Sequence, residues 1–301
     1  MNKKRYAGPL WTSTVKHDYI DSKGLETVRR DNCRLAKDII GTALDKILLD
    51  RSPEKAIEYV KHKVALLLQN KIDISDLVVT KGLTKTADQY KGTKQAHVEL
   101  AARMKQRDAG SAPNVGDRVA YVCIKGSKGQ KAYELAEDPL YVLDNDIPID
   151  ANWYVEHQLR EPLLRIFNPV IPNAATALFS GDHTRKVYKA TNNAGSIMKF
   201  ASKSLQCLGC RALLPNGDKG ALCKACLPLE PAIYAGRMGA VVSLERQTNA
   251  LWTNCQRCQG SNVNDILCNN SDCDYYYRRI KAAKDLERAR AHVARFGDAT
   301  W

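Results

Sequence analysis

Apolar and polar positions alternate along the chain in two periods. From about 25 to 49, Val28, Leu35, Ile39, Ala43, Leu44, Ile47 and Leu48 recur every three or four residues, which predicts a helix with one apolar face. A second helix has clear start signals in the cap residue Ser52, Pro53 in the first turn and Glu54 behind it. Its inward face is Ile57, Val60, Val64, Leu67 and Leu68. Residues 94–107 and 150–167 also read as helices, the second capped by Asp150 and broken or kinked at Pro162. Strands are predicted over 5–14, 76–83 and 116–126, the last stopping at a Gly-Ser-Lys-Gly turn.

Beyond residue 170 the pattern changes. Residues 171–202 are rich in Asn, Thr, Ser and Gly and read as a linker between domains. A helix is predicted over about 231–250, opened by Pro231. A terminal helix follows, with a narrow apolar stripe of Ile280, Ala283, Leu286, Ala289, Val293 and Phe296. The cations Arg278, Arg279, Lys281, Lys284, Arg288, Arg290 and Arg295 surround that stripe and predict a basic outer face. The fold class expected is α+β, mostly helical, in about two domains.

Charge narrows the partners. The chain of 301 residues carries 46 Lys and Arg against 33 Asp and Glu, a formal net charge of +13. Such an excess points to nucleic acid before an anionic membrane surface. No apolar run approaches the roughly 20 residues of a spanning helix, so no membrane partner is expected. The basic N-terminus has no apolar region behind it and does not read as a signal peptide.

Of ten cysteines, eight fall in two groups of four, while Cys33 and Cys123 read as buried small hydrophobes. Without a secretory signal, thiolates that hold metal are a better reading than disulfides. The first group, Cys207, Cys210, Cys223 and Cys226, forms two CxxC knuckles suited to tetrahedral zinc, with Gly209, Gly217 and Gly220 supplying turns. Four thiolates leave no open position for a water, so the zinc is structural. The second group, Cys255, Cys258, Cys268 and Cys273, has x2, x9 and x4 spacing. That spacing leaves zinc and an iron–sulfur cluster both open, with zinc ahead as the commoner use of such spacing.

Two basic clusters are candidate duplex contacts. "NKKRYAG" places Lys3, Lys4 and Arg5 beside Tyr6 and Gly8, joining cations to a stacking face and a close backbone approach. "KGLETVRRD" adds Lys23, Arg29 and Arg30, for which ordinary surface charge with a Glu26–Arg30 pair is the plain alternative. The six histidines are scattered and none sits with a matching nucleophile or base. Phosphate-binding loops, nucleophile elbows and metalloprotease motifs are absent from the sequence. No catalytic residue is assigned.

"KKRYAG", "KGLETVRRD", "LVVTKGLTK", "GDRVAYV", "DANWYVEHQLREPLLRIF" and "GDHTR", followed by the two cysteine groups, resemble the C-terminal part of eukaryotic family B DNA polymerases. The resemblance runs in order along nearly the whole chain. It implies that 1–22 ends the palm, 23–170 is the thumb that grips primer–template DNA, and 203–301 is a metal-binding C-terminal domain. It implies zinc at Cys207, Cys210, Cys223 and Cys226, and a [4Fe–4S] cluster at Cys255, Cys258, Cys268 and Cys273. It further implies a sliding clamp near the zinc module, an accessory B subunit docked at the cluster, and the nucleus as the site of action. The aspartate motifs of the family's palm, which hold magnesium, are not in this sequence. The resemblance thus predicts a piece of a longer DNA-directed DNA polymerase, inactive by itself. A freestanding, non-enzymatic zinc protein that binds nucleic acid or bridges a complex is the alternative.

Overall fold

The computed structural model describes residues 5–27, 31–86, 89–90, 94–126, 129–185, 205–215, 217–218 and 220–297. Two compact units divide the chain, one over residues 1–193 and the other over 194–301. Helices and small antiparallel sheets together make the expected α+β class.

In the first unit, β1 (Tyr6–Leu10) and β2 (Tyr19–Lys23) form an antiparallel hairpin. The predicted strand over 5–14 is therefore shorter, because the chain must turn to bring β2 alongside. Helix α1 spans Arg34–Leu48 and α2 spans Pro53–Leu68. Ile39 and Ala43 of α1 and Val60 and Val64 of α2 are fully buried, as their spacing predicts; Ile40 and Ala56 join them, while the expected Ile57 is only half-buried. Helix α1 starts later than expected, since Cys33 is extended at its N-cap.

The predicted strand at 76–83 is half helix. Ile74–Leu77 forms the short helix α3, and Val79–Gly82 forms β3. Asp73 explains the difference: its carboxylate accepts from Ser75 N–H at 2.9 Å and caps the turn, which buries Ile74 and Leu77. Helix α4 (Ala96–Arg107) precedes β4 (Arg118–Cys123), and a sheet forms in the antiparallel order β3–β4–β5, with β5 at Ala136–Glu137. The basic end of α4 is used internally. Arg107 donates to both carboxylate oxygens of the buried Glu137 at 2.9 and 2.8 Å and stacks 3.9 Å from the Tyr141 ring. Arg103 donates to the carbonyls of Glu134 and Ala136. Helix α5 (Pro139–Asp144) follows, capped by Asp138.

Pro162 does not end the helix it interrupts. Helix α6 (Ala151–Tyr154), capped by Asp150, widens into a π-helical segment, Val155–Arg160, before α7 (Glu161–Phe167). Proline removes one donor and crowds the carbonyl a turn earlier, and the wider turn absorbs both effects. The widened segment carries two buried ties. Gln158 Oε1 accepts from Cys33 N–H at 3.1 Å, satisfying a donor at the start of α1. Tyr154, fully buried, accepts through its hydroxyl from Cys123 N–H at 3.1 Å. Burial pushes the Cys33 thiol up to about 12 and the Cys123 thiol higher still, so both remain protonated packing residues.

The region read as a linker is folded in its first part. Ala174–Phe179 forms α8, with Ala174 and Leu178 buried, and Asp182–Thr184 adds a single turn. An i,i+4 apolar pair is enough to seat this short helix on the core, which its polar composition conceals. The remainder, 186–204, lies outside the described residues.

The second unit is built on α9 (Glu230–Gln259) and α10 (Tyr276–Ala294). Helix α9 runs past the predicted end at 250 and stops at Gly260, whose φ of 76° provides the left-handed cap. The buried face of α10 is Tyr277, Arg279, Ala282 and Leu286, so the predicted apolar stripe is rotated at its start: Ala283 faces solvent and Arg279 faces inward. Among the described residues, no helix is long and apolar enough to cross a membrane.

Replacing Tyr154 with Phe keeps the ring and deletes the acceptor for the buried Cys123 N–H. Urea unfolding should show a loss of about 1–3 kcal/mol; an unchanged midpoint would mean that this tie carries no weight.

Candidate metal centres and nucleic-acid interface

The first cysteine group forms a compact cage. The sulfurs of Cys207, Cys210, Cys223 and Cys226 all lie within 4.8 Å of one another. Cys210 Sγ and Cys223 Sγ are 3.6 Å apart, near the ~3.8 Å that a tetrahedral ion with ~2.3 Å zinc–sulfur bonds would set. All four thiols are free. Two short backbone turns present them: Arg211 N–H bonds to the Cys207 carbonyl, and Cys226 N–H to the Cys223 carbonyl.

The loops stay closed because a small core sits behind them. Leu208, Leu214, Ala221 and Leu222 are buried there, with Ile233 and Phe296 packed alongside. Arg237 of α9 donates to the Leu208 carbonyl, and Arg295, beyond α10, donates to the carbonyls of Gln206 at 2.9 Å and Gly220 at 2.6 Å. Both helices therefore hold the module. Sequence reading assigned Arg295 to a basic face and gave Arg237 no role. Gly209 is required by space, because a Cβ there would meet Cys226 Sγ and Ile233 Cδ1, each at 2.9 Å.

The sulfurs differ in acidity. Burial pushes the Cys207 thiol up, but N–H groups of Cys223, Cys210 and Gly209 outweigh it and bring the pKa down to about 6. Cys226 moves the other way, to about 12, through hydrogen bonding with Cys210, burial, and its bonds to Cys223 and Cys207. Without metal, the cage keeps protons that a cation must displace.

The second group is arranged differently. Cys255 and Cys258 lie one turn apart on α9 instead of in a loop knuckle, while Cys268 and Cys273 come from the segment leading to α10. Among the described residues, only the first group brings three or more potential ligands within 4.8 Å of one another. The second group's thiols still sense one another. Burial raises the Cys255 thiol, Arg279 opposes this, and Cys273, Cys268 and Cys258 add to the rise. Gln256 and Gln259 fold the intervening loop back onto α9, donating to the carbonyls of Asn262 at 3.1 Å and Asp265 at 3.0 Å. Nothing in the cysteine spacing points to these two glutamines. Arg279 Nη2 donates to the Cys268 carbonyl at 3.3 Å.

The candidate duplex contacts are only partly described. Lys3, Lys4, Arg29 and Arg30 lie outside the described residues. Tyr6 pairs with Lys23 across the hairpin and Gly8 with Asp21, so these four share one face. Tyr6 donates to Asp21 at 3.0 Å, and Lys23 Nζ lies 6.0 Å from the Tyr6 ring centre. The exposed Lys23 ammonium is held above its ordinary pKa, first by its hydrogen bond with Tyr6. Open space surrounds the Cα of Gly8, and Arg5 is exposed at the strand's start. Glu26 pairs with Arg165 of α7 at 2.7 Å.

The first unit thus opens on a hairpin that sets Tyr6, Asp21 and Lys23 on one face, and the second carries a compact four-thiol cage. Residues 1–170 match DNA polymerase family B, and the chain belongs to that family. Residues 207–279 match the C4-type zinc-finger of DNA polymerase delta. The chain is similar to DNA polymerase delta catalytic subunits along its whole length. Identity is 52% over 98% of the chain for Arabidopsis thaliana and 51% over 100% for Schizosaccharomyces pombe. For Drosophila melanogaster it is 48% over 100%. The chain spans only 27%, 27% and 28% of those relatives, respectively. A solved family B DNA polymerase from the archaeon Pyrobaculum calidifontis is 32% identical, with a TM-score of 0.44 over 56% of this chain and 21% of that one.

Two measurements test the first cage. Gly209→Ala should lower its zinc affinity about tenfold or more in a chelator competition, because ligand packing must yield; unchanged affinity would show spare room. Zinc loading near neutral pH should release protons into a weakly buffered indicator. Retention should weaken as pH falls, because protons compete with the ion for the four thiolates. Loading without proton release would contradict this acid–base picture.

Proposed function

We propose that this chain is the duplex-gripping and assembly part of a delta-type replicative DNA polymerase catalytic subunit. The observation that carries the reading is the order of the matches: a family B segment over 1–170, then a delta-type zinc-finger segment over 207–279, on one chain. In this reading residues 1–22 end the palm, 23–170 form the thumb, 171–202 include the connection, and 203–301 form the C-terminal domain.

Primer–template DNA lies against Lys3, Lys4, Arg5, Tyr6, Gly8, Lys23, Arg29 and Arg30. The shared face of Tyr6, Gly8 and Lys23 supports this, since it joins a stacking ring, an open backbone and a cation. These contacts position a duplex and carry no base information. Templated addition of deoxynucleotides needs the palm aspartates and their magnesium ions, which no residue of this chain replaces. The activity therefore belongs to the longer enzyme, working in the nucleus.

The first cysteine group holds a structural zinc, and the surface around it faces the sliding clamp. The second holds a [4Fe–4S] cluster and docks the accessory B subunit. One feature favours a polynuclear centre in the second group: among the described residues its four thiols are not gathered within the 4.8 Å that holds the first group together. When bound, the cluster supplies a rigid anionic knot that ties the end of α9 to the start of α10.

Duplex binding by the full chain should weaken with salt at roughly one unit of log–log slope per phosphate contact. Joint Lys23→Glu and Arg5→Glu substitution should reduce that slope without altering sequence preference. Salt-independent affinity would reject the grip. Primer extension by this chain alone, with deoxynucleotides and magnesium, would overturn the assignment of chemistry to missing residues.

A further inference from the structure

Arg279 stands apart from the other cations of the terminal helix. It is 9% exposed, on the inward face of α10, six positions after Cys273. Buried arginines are ordinarily paired with a carboxylate or saturated with acceptors, because an unmet charged donor loses its hydration without compensation. One arm of Arg279 is met: Nη2 donates to the Cys268 carbonyl at 3.3 Å. The other arm, Nη1, is buried and has no hydrogen-bond partner. The guanidinium therefore lies against the backbone of one cysteine of the second group. The Arg279 charge acts on Cys255 together with the charges of Cys258, Cys268 and Cys273.

The second cysteine group, once loaded, supplies an anionic and sulfur-rich acceptor next to the carbonyl that Arg279 already holds. Four thiolates around a divalent ion leave a net charge of about −2, and a four-iron cluster with four thiolates is similarly anionic. Either would bring negatively charged sulfur close to a guanidinium that already binds the Cys268 carbonyl. A guanidinium that grips the backbone of one ligand and donates to the assembled anion does two things. It fixes the Cys268 loop, and it offsets the charge that would drive the thiolates apart.

We propose that Arg279 is the positioning residue of the second metal centre, donating through Nη1 to a sulfur of the loaded site and supplying its counter-charge. The proposal rests on the second group's holding a metal. It applies to a lone ion or a cluster, and for a cluster it adds a redox consequence. A hydrogen bond and a positive charge at the sulfurs favour the more reduced, more negative state and raise the midpoint potential.

The test uses the full chain purified anaerobically, with Arg279→Gln, Arg279→Lys, and Arg290→Gln as an exposed control on the same helix. Iron and zinc are quantified separately, and release to EDTA is followed over time. Arg279→Gln should release the second centre's metal about tenfold faster or more, with the first centre's zinc unchanged. Arg279→Lys should fall between, and Arg290→Gln should match the parent. If the second centre holds iron, its midpoint potential should shift to more negative values in Arg279→Gln and partly recover in Arg279→Lys. Release rates and potential equal to the parent's in Arg279→Gln would overturn the proposal. Should Arg279→Gln lose helicity by circular dichroism, Arg279→Lys decides: parent-like release from it would also overturn the role. Two zinc ions and no iron in the parent would reject the cluster. The release phase abolished by Cys268→Ser would then still measure the Arg279 effect. No metal at the second group in the parent would reject both.

Discussion

Four sulfurs crowded within 4.8 Å repel one another once ionised, and the zinc-finger module depends on a cation to cancel that repulsion. Its apolar support is slight: Leu208, Leu214, Ala221 and Leu222, with Ile233 and Phe296 lent from outside the loops. So small a core cannot order two turns by hydrophobic burial alone. The cage is prepared for its ion by backbone donors that hold Cys207 ionised near neutral pH. Arg237 and Arg295 then tie the prepared cage to the helical pair.

The first unit solves a different problem. It has a real core, and its difficulty lies in joining distant elements without leaving buried backbone donors unmet. The helix from Ala151 to Phe167 does this through its irregularity. The widened turn before Pro162 carries Gln158 to the start of α1, and Tyr154 of the same helix reaches the end of β4. A regular helix would present a different face. The same economy governs charge. Arg103, Arg107 and Arg165 are consumed by internal acceptors.

Net charge is therefore a poor map of an interface. Of the cations at the end of α4, those that look most available bind Glu137 and the backbone of β5. At the terminal helix the contrast is sharper, since Arg279 turns inward to the Cys268 carbonyl while Arg288 and Arg290 stay exposed. Linear spacing treats these arginines alike. Their separation into structural, inward-facing and solvent-facing roles comes from the rotation of each helix about its axis.

What the sequence determined by itself is local. The apolar faces of α1 and α2, the cap at Asp150, the start of α2 at Pro53, and the tetrahedral geometry implied by paired CxxC turns all follow from residue type and short spacing. The order of its motifs also carried the family resemblance, because such blocks survive as linear strings. Tertiary structure decided what depends on partners far away in sequence. It set the π-helical passage through Pro162, the seating of α8 on a two-residue apolar pair, the extension of α9 through Cys258 and the inward turn of Arg279. Each is settled by a long-range contact whose free energy outweighs a weak local preference, and such a contact leaves no periodic trace along the chain.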